Sequence, residues 1–263
     1  SDLVYNDSEG VVVNVEGEDA SVASFARELR RDVARDAPLA RIDALVSLGF
    51  SAPTGATDFE ITASREGAAR TTVTPDAATC AKCASEIFTK TNRRWRYAFT
   101  NCTHCGPRHT ITRHIPYDRA QTSMAVFPMC PACRAEYENP ADRRFHAQPN
   151  ACPVCGPKLT LTDNKGNVIA GDAIAGTLKV ILTGGIAAVK GLGGFHLVCD
   201  ARNSRAVTRL RERKGRSEKP LAVMCANTES ASELVRLSAA GVKALTSVAR
   251  PIVLAPKTEA ADR

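Results

Sequence analysis

The alternation of apolar and polar positions over the first 66 residues predicts two strands, a helix and two further strands. Residues 3–5 and 11–15 form the first pair around Asn6-Asp7-Ser8-Glu9-Gly10, with Val11, Val13 and Val15 on one face. A helix follows, opened by Asp19 or Ser21, with Val22, Phe25, Ala26, Leu29 and Val33 at helical spacing. Residues 40–48 and 58–62 supply the other two strands. Beyond residue 168 helix and strand alternate. Asp172 caps a helix carrying Ile174, Leu178, Ile181 and Leu182, which Gly184-Gly185 ends. Residues 186–189 read as a strand, 204–213 as a helix with Val207 and Leu210 inward, and 221–224 as a strand.

The order β-β-α-β-β is what remains of a ferredoxin-like α/β sandwich once its first strand and helix are removed. The chain therefore reads as a multidomain α+β and α/β protein. A truncated sandwich occupies 1–66 and a small, polar linker 67–76. A cysteine-rich segment with little apolar core follows at 77–168, and the start of an α/β domain at 169–263.

The cysteine-rich segment carries the chemistry. Eight of ten cysteines form four C-x-x-C pairs: Cys80/Cys83, Cys102/Cys105, Cys130/Cys133 and Cys152/Cys155, with 18, 24 and 18 residues between pairs. Two thiolates at that spacing can face one ion from a tight turn, and Zn²⁺ takes four in a tetrahedron. Disulfides would need an oxidising compartment and give no reason for four identical knuckles. A thioredoxin-type redox pair would not be present four times over. A shift of 50 residues superimposes the first two pairs on the last two. The same shift lays Glu86 on Glu136, Arg93-Arg94 on Arg143-Arg144, and Gly106-Pro107 on Gly156-Pro157. A duplicated unit is expected to hold its own ion, giving sequential pairing; nesting the first pair with the fourth is the alternative. Four cysteines leave no open coordination position, so the zinc is expected to be structural. Loss of Cys102 is then expected to release one ion and unfold mainly the first unit. His104, His109, His114 and His146 are read as loop histidines because each site is already filled. Cys199 and Cys225 sit in apolar runs and are read as small buried hydrophobes.

Charge qualifies this picture. The net charge is +7, which by itself suggests an anionic partner. Two tetrathiolate zinc sites would carry −4 between them and bring it to +3. Aromatic residues are only 5%, which weakens any reading built on base stacking. No run is long and apolar enough to span a membrane and no signal peptide opens the chain, so a cytoplasmic location is expected. Lys190-Gly191-Leu192-Gly193-Gly194 and the basic run from Arg211 to Arg216 suggest a phosphate or nucleotide site. Glycine N–H groups can approach phosphate oxygens, and cations neutralise them. A solvated helix end is the alternative for Lys214 and Arg216.

Taken together, these motifs resemble one family, the HypF carbamoyltransferases of [NiFe]-hydrogenase maturation. The four cysteine pairs resemble its double zinc finger, as do Phe99-Thr100-Asn101-Cys102, Cys105-Gly106-Pro107-Arg108, Pro116-Tyr117-Asp118-Arg119 and Arg143-Arg144-Phe145-His146. Residues 6–11 are similar to its acylphosphatase-like domain. Residues 190–201 and 213–220 are similar to its YrdC-like domain. The resemblance implies use of carbamoyl phosphate and ATP with Mg²⁺, through carbamate and carbamoyl adenylate. It also implies transfer of the carbamoyl group to the C-terminal cysteine of a partner protein, HypE, for cyanide-ligand synthesis. Asn6 matches the asparagine that places the attacking water in acylphosphatases. The phosphate-binding arginine loop would lie upstream of Ser1, and the family's last domain is missing at the other end. The chain alone is thus expected to hydrolyse carbamoyl phosphate no faster than background. Lys190, Gly193, Gly194, His196, Lys214, Arg216 and Lys219 are the nucleotide- and substrate-binding candidates. Double-stranded RNA, or a protein docked on a zinc scaffold, is the alternative partner. The charge of +3 and the scarce aromatics count against RNA.

Overall fold

The computed structural model describes residues 3–6, 10–36, 42, 44–53, 55, 60–61, 73–216 and 218–262. They fall into two compact units, one of Ser1–Asp76 with Cys80–Cys155, the other of Ala77–Thr79 with Gly156–Arg263.

In the first unit, β1 (Leu3–Asn6) and β2 (Val11–Asn14) pair antiparallel, Leu3 opposite Asn14 and Asn6 opposite Val11. The expected hairpin is present, its turn residues 7–9 lying outside the described part. α1 (Asp19–Asp36) follows, and β3 (Glu60–Ile61) lies parallel to β1, giving the order β2-β1-β3. Parallel pairing needs a crossover, and α1 lies within it. Val22, Phe25, Leu29 and Val33 are half-buried along α1, whereas Ala26 is exposed and drops out of the expected stripe. The expected strand over 40–48 does not form where it is described. Residues 42 and 44–48 have no regular structure, with Val46 71% and Leu48 82% exposed. A strand persists only in a ladder, and β2 and β3 gain no further neighbour among the described residues. Residues 58, 59 and 62 of the other expected strand, and 67–72 of the linker, lie outside the described residues.

The cysteine-rich segment opens each repeat with a short helix that the sequence pattern did not announce. α2 (Ala81–Phe88) and α3 (Pro131–Glu138) start directly after Cys80 and Cys130, and Pro131 occupies the first turn, where its missing N–H costs nothing. Three 3₁₀ turns follow α2, at His109–Ile111, Arg119–Gln121 and Ser123–Val126. The apolar core is small: Tyr97, Ile111, Met124 and Ala151, with Phe99, Tyr117 and Phe127 packed against it. Backbone conformation repeats with the sequence. Arg96 and His146, one period apart, both take positive φ (56° and 51°). Their N–H groups return to the carbonyls of Ile87 and Tyr137, at 2.8 and 3.0 Å.

The second unit begins with a hairpin of β4 (Leu161–Thr162) and β5 (Val168–Ile169). α4 (Ala173–Leu182) packs on β4 at Gly176, where a Cβ would stand 2.6 Å from Leu161 Cδ2. Asp172 caps α4 as expected, accepting from the N–H groups of Ile174 and Ala175 at 2.8 and 3.0 Å. β6 (Ala187–Lys190) and β7 (Phe195–Val198) form an antiparallel hairpin, Lys190 opposite Phe195. α5 (Ser204–Lys214) buries Ala206 and Leu210, with Val207 half-buried, and ends at Gly215 in the left-handed region (φ 58°). α6 (Thr228–Leu234), α7 (Ala239–Thr246) and a 3₁₀ turn, Glu259–Asp262, complete it. The expected strand over 221–224 is absent. That stretch pairs with neither β6 nor β7, and Met224 is 97% exposed. Among the described residues, no helix is long and apolar enough to cross a membrane.

Replacing Asp172 with Ala leaves two N–H groups at the start of α4 without their cap. We expect a loss of about 1 kcal/mol in the stability of the second unit, read from urea unfolding followed by far-UV circular dichroism.

Candidate metal centres and a candidate nucleotide site

The eight paired cysteines converge in two groups. Cys80, Cys83, Cys102 and Cys105 form one, and Cys130, Cys133, Cys152 and Cys155 the other, the sulfurs of each within 4.8 Å of one another. The pairing is therefore sequential, as the repeat predicts, and not nested. Zn–S bonds of about 2.3 Å in a tetrahedron imply sulfur–sulfur edges of about 3.8 Å. Cys80–Cys102, Cys102–Cys105, Cys130–Cys152 and Cys152–Cys155 all stand at 3.8 Å, and Cys133–Cys155 at 3.6 Å. Both groups fit a structural zinc ion, which would hold two chain segments together and contribute folding energy directly.

The knuckles need a sharp return after the second pair. Gly106 supplies it with φ 94°, and a Cβ there would meet Asn101 Cβ at 2.6 Å. Only glycine combines that backbone with that approach.

Around the sulfurs the two repeats exchange arginines. Arg93, in the first repeat, donates to Cys133 Sγ of the second at 3.0 Å, and Arg143 donates to Cys83 Sγ of the first at the same distance. Arg94 forks onto Glu136 at 2.5–2.9 Å, and Arg144 forks onto Glu86. Arg93 also pairs with Glu136, and Arg143 with Glu86, each at 2.6 Å. The Nε atoms complete the exchange. Arg94 donates to the carbonyl of Ala151 at 2.9 Å and Arg144 to that of Asn101 at 3.1 Å. Arg94 and Arg144 are 1% and 3% exposed, so they constitute core. The recurrence of these six charged residues at the 50-residue period was the signal for their role, but it did not say that partners lie across repeats. Against the expectation that loss of Cys102 unfolds mainly its own unit, the exchange sets a coupling between repeats that the period did not reveal. Each repeat completes the other's interior.

Electrostatics follow from the packing. Burial pushes the Glu136 carboxyl up, but hydrogen bonds and charge from Arg94, with Arg93 behind it, bring it down to about 2. Glu86 is likewise lowered against burial by Arg144 and Arg143. Hydrogen bonds from Cys105 and Cys83 hold the Cys102 thiol far below its ordinary range. At Cys152, burial acts upward, yet the N–H groups of Val154 and Cys155 and the Arg93 guanidinium bring it down to about 6. Within each group the shifts oppose one another: hydrogen bonds from Cys102 and Cys105 push the Cys83 thiol up, and burial does the same at Cys133.

The histidines stay out of both groups among the described residues. His146 stacks on Tyr137 at 5.0 Å between centroids, and His109 opens a 3₁₀ turn. Cys199 and Cys225 are free and only half-buried, less enclosed than expected. Asn6 ends β1, and its side chain lies outside the described part.

The nucleotide candidates are divided between two places in the second unit. Lys190 closes β6, His196 sits in β7, and residues 191–194 are the turn between them, closed by a 2.7 Å bond from Gly191 N–H to the Gly194 carbonyl. Gly193 and Gly194 face open space, whereas Gly191 is packed against His196 Nε2. Lys190 Nζ lies 5.0 Å from the centre of the Phe195 ring, a cation–π contact. Lys214 ends α5. Arg216 is partly committed to its own loop, donating to the Pro220 carbonyl at 3.1 Å, and Arg211 holds the carbonyls of Arg216 and Lys219. Among the described residues no hydrogen bond joins the two groups. The strand expected over 221–224, directly after Lys219-Pro220, is absent, so no sheet ladder links the two groups.

A pair of interlocked tetrathiolate fingers followed by an α/β segment defines the class: a double zinc-finger module joined to a YrdC-type domain. Residues 79–112 and 129–162 match the family described as HypF finger, and residues 179–262 match the Sua5/YciO/YrdC family, described as telomere recombination. Over nearly its whole length the chain is similar to HypF proteins. It is 49% identical over 262 residues to carbamoyltransferase HypF2 of Cupriavidus necator, covering 98% of this chain and 32% of that protein. To carbamoyltransferase HypF of Rhodobacter capsulatus it is 52% identical over 254 residues, covering 97% and 33%. A full-length HypF solved in a phosphate- and nucleotide-bound form superimposes with a TM-score of 0.87 at 40% identity, over 98% of this chain and 33% of that one. The chain spans about a third of the length of these relatives.

Glu136→Gln strands the buried Arg94, and we expect it to cost about 3–5 kcal/mol at neutral pH. Because the folded carboxyl is held at about 2, below its ordinary 4.5, its contribution is complete above about 4.5 and lost only as pH falls toward 2. The gap between parent and variant in guanidinium unfolding should therefore stay constant between about pH 8 and 5.5.

Proposed function

We propose that this chain is the finger and adenylate-forming segment of a carbamoyltransferase that serves hydrogenase maturation. The observation that carries the reading is similarity to carbamoyltransferases at 40–52% identity over 97–99% of the chain. In this reading carbamoyl phosphate is hydrolysed to carbamate and phosphate, and Asn6 orients the water. Carbamate then attacks the α-phosphorus of ATP, giving carbamoyl adenylate and releasing pyrophosphate. The C-terminal cysteine thiolate of HypE finally takes the carbamoyl group, and AMP leaves.

The N–H groups of Gly193 and Gly194, at an open turn, suit phosphate oxygens. Lys190, His196, Lys214, Arg216 and Lys219 supply positive charge or hydrogen bonds, and Mg²⁺ accompanies the triphosphate. The fingers carry no catalytic step.

The test is calorimetric titration of Mg·ATP into the full-length protein that contains this segment, and into its Lys214→Ala/Arg216→Ala variant. Two charge-assisted contacts of roughly 1.5–3 kcal/mol each predict binding weaker by about 100-fold or more. Equal affinity would make Lys214 and Arg216 a solvated helix end.

A further inference from the structure

Each zinc-type site receives an arginine–thiolate bond of 3.0 Å, and the second also takes a longer one from Arg94 to Cys133 Sγ at 3.6 Å, so a greater lability of the second site must come from elsewhere. It comes from the knuckle after the second cysteine pair. In the first repeat Arg108, 8% exposed, donates to four carbonyls: Cys102 at 2.8 Å, Thr103 at 2.9 Å, Cys105 at 3.1 Å and Pro107 at 2.9 Å. Its own N–H is held by Asp76 Oδ1 at 2.9 Å. Thr103 adds a second fastening, its N–H and hydroxyl both donating to the Arg143 carbonyl, at 3.1 and 3.0 Å. One period later Arg108 becomes Lys158, which is exposed, and Thr103 becomes Pro153, which has no N–H to give. The buried Cys105 becomes the half-buried Cys155, beside Val154 at 79% exposure.

We propose that the second site, Cys130/Cys133/Cys152/Cys155, is the labile one of the pair and surrenders its metal first to thiol-reactive electrophiles, entering at Cys155. The second site has two half-buried cysteines, Cys130 and Cys155, against one in the first, Cys80, and the first site's Cys105 lies buried under the Arg108 fork. With a maleimide, the Cys155 sulfur adds across the carbon–carbon double bond and a proton from water completes the adduct. The resulting thioether is a neutral, weak ligand, and Zn²⁺ departs. Since Arg93 and Arg94 of the first repeat anchor on Cys133 and Glu136, the first site loosens afterwards. The order of release is built into the fold.

This inference rests on the zinc reading, which metal analysis of the freshly purified chain tests separately: fewer than two zinc ions per chain overturns that reading itself. With two present, excess N-ethylmaleimide is added while a metallochromic indicator reports free zinc. We expect two phases of one equivalent each, separated by about tenfold or more in rate, as the loss of several carbonyl hydrogen bonds suggests. Peptide mapping after the first phase should find label on Cys130, Cys133, Cys152 and Cys155, with Cys80, Cys83, Cys102 and Cys105 still free of it. Lys158→Arg, a change at an exposed position, should slow the fast phase, and Arg108→Lys should speed the slow one. A single phase of two equivalents, first label on the cysteines of the first site, or rates unmoved by both substitutions would overturn the proposal.

Discussion

A guanidinium reaching from one repeat to a thiolate and a carboxylate of the other is the contact on which the finger pair depends. A tetrathiolate site is a concentration of negative charge, and a buried arginine is a positive charge removed from water. Either alone would be costly. Here each offsets the other, and Ala151, Asn150 and Asn101 accept further N–H groups of Arg94 and Arg144. The usual driving force is scarce: four buried apolar residues make up the cluster between the knuckles. Metal ligation and charge pairing take over the work that a larger segment would give to leucine and isoleucine.

This explains what was legible beforehand and what was not. Cysteine spacing is dictated by the ion, so Cys80 to Cys155 could be assigned, and sequential pairing followed from the period. Capping is local, so Asp172 announced α4 correctly. Among the described residues of 40–48, and over 221–224, the expected strands failed for a shared reason: alternation describes a side chain's preference for a face, but a strand exists only beside another. The short helices α2 and α3 went unseen because eight residues show too little periodicity beside a cysteine knuckle. Arg93, Arg94, Arg143 and Arg144 were marked by their recurrence, and Arg143-Arg144 by family resemblance too, but neither told that Arg94 and Arg144 are buried. Nothing in a linear pattern distinguishes an arginine that points outward from one that is 1% exposed.

The candidate nucleotide site shows the same limit in reverse. The glycines at 191–194 were read as a cradle, and they do form a tight turn with two open positions. Their first role is to connect β6 to β7. Arg216, read as a free cation, spends one nitrogen on the Pro220 carbonyl, so its charge is placed by the loop it helps to hold. The side chains that would bind phosphate therefore also hold backbone geometry.

The exchange between repeats has the form of an isologous interface. Arg94 meets Glu136 and Arg144 meets Glu86, so position i touches j and j touches i, as across a two-fold axis in a symmetric dimer. A solitary ancestral repeat could satisfy its arginine and its glutamate together only by associating with a second copy of itself. Joining the copies in one polypeptide made that association intramolecular, with an effective concentration on the order of millimolar set by the connecting chain. Once fused, the halves no longer had to be identical. The divergence of Arg108 and Lys158 is the kind of asymmetry that a homodimer, bound to use one sequence for both halves, could never have acquired.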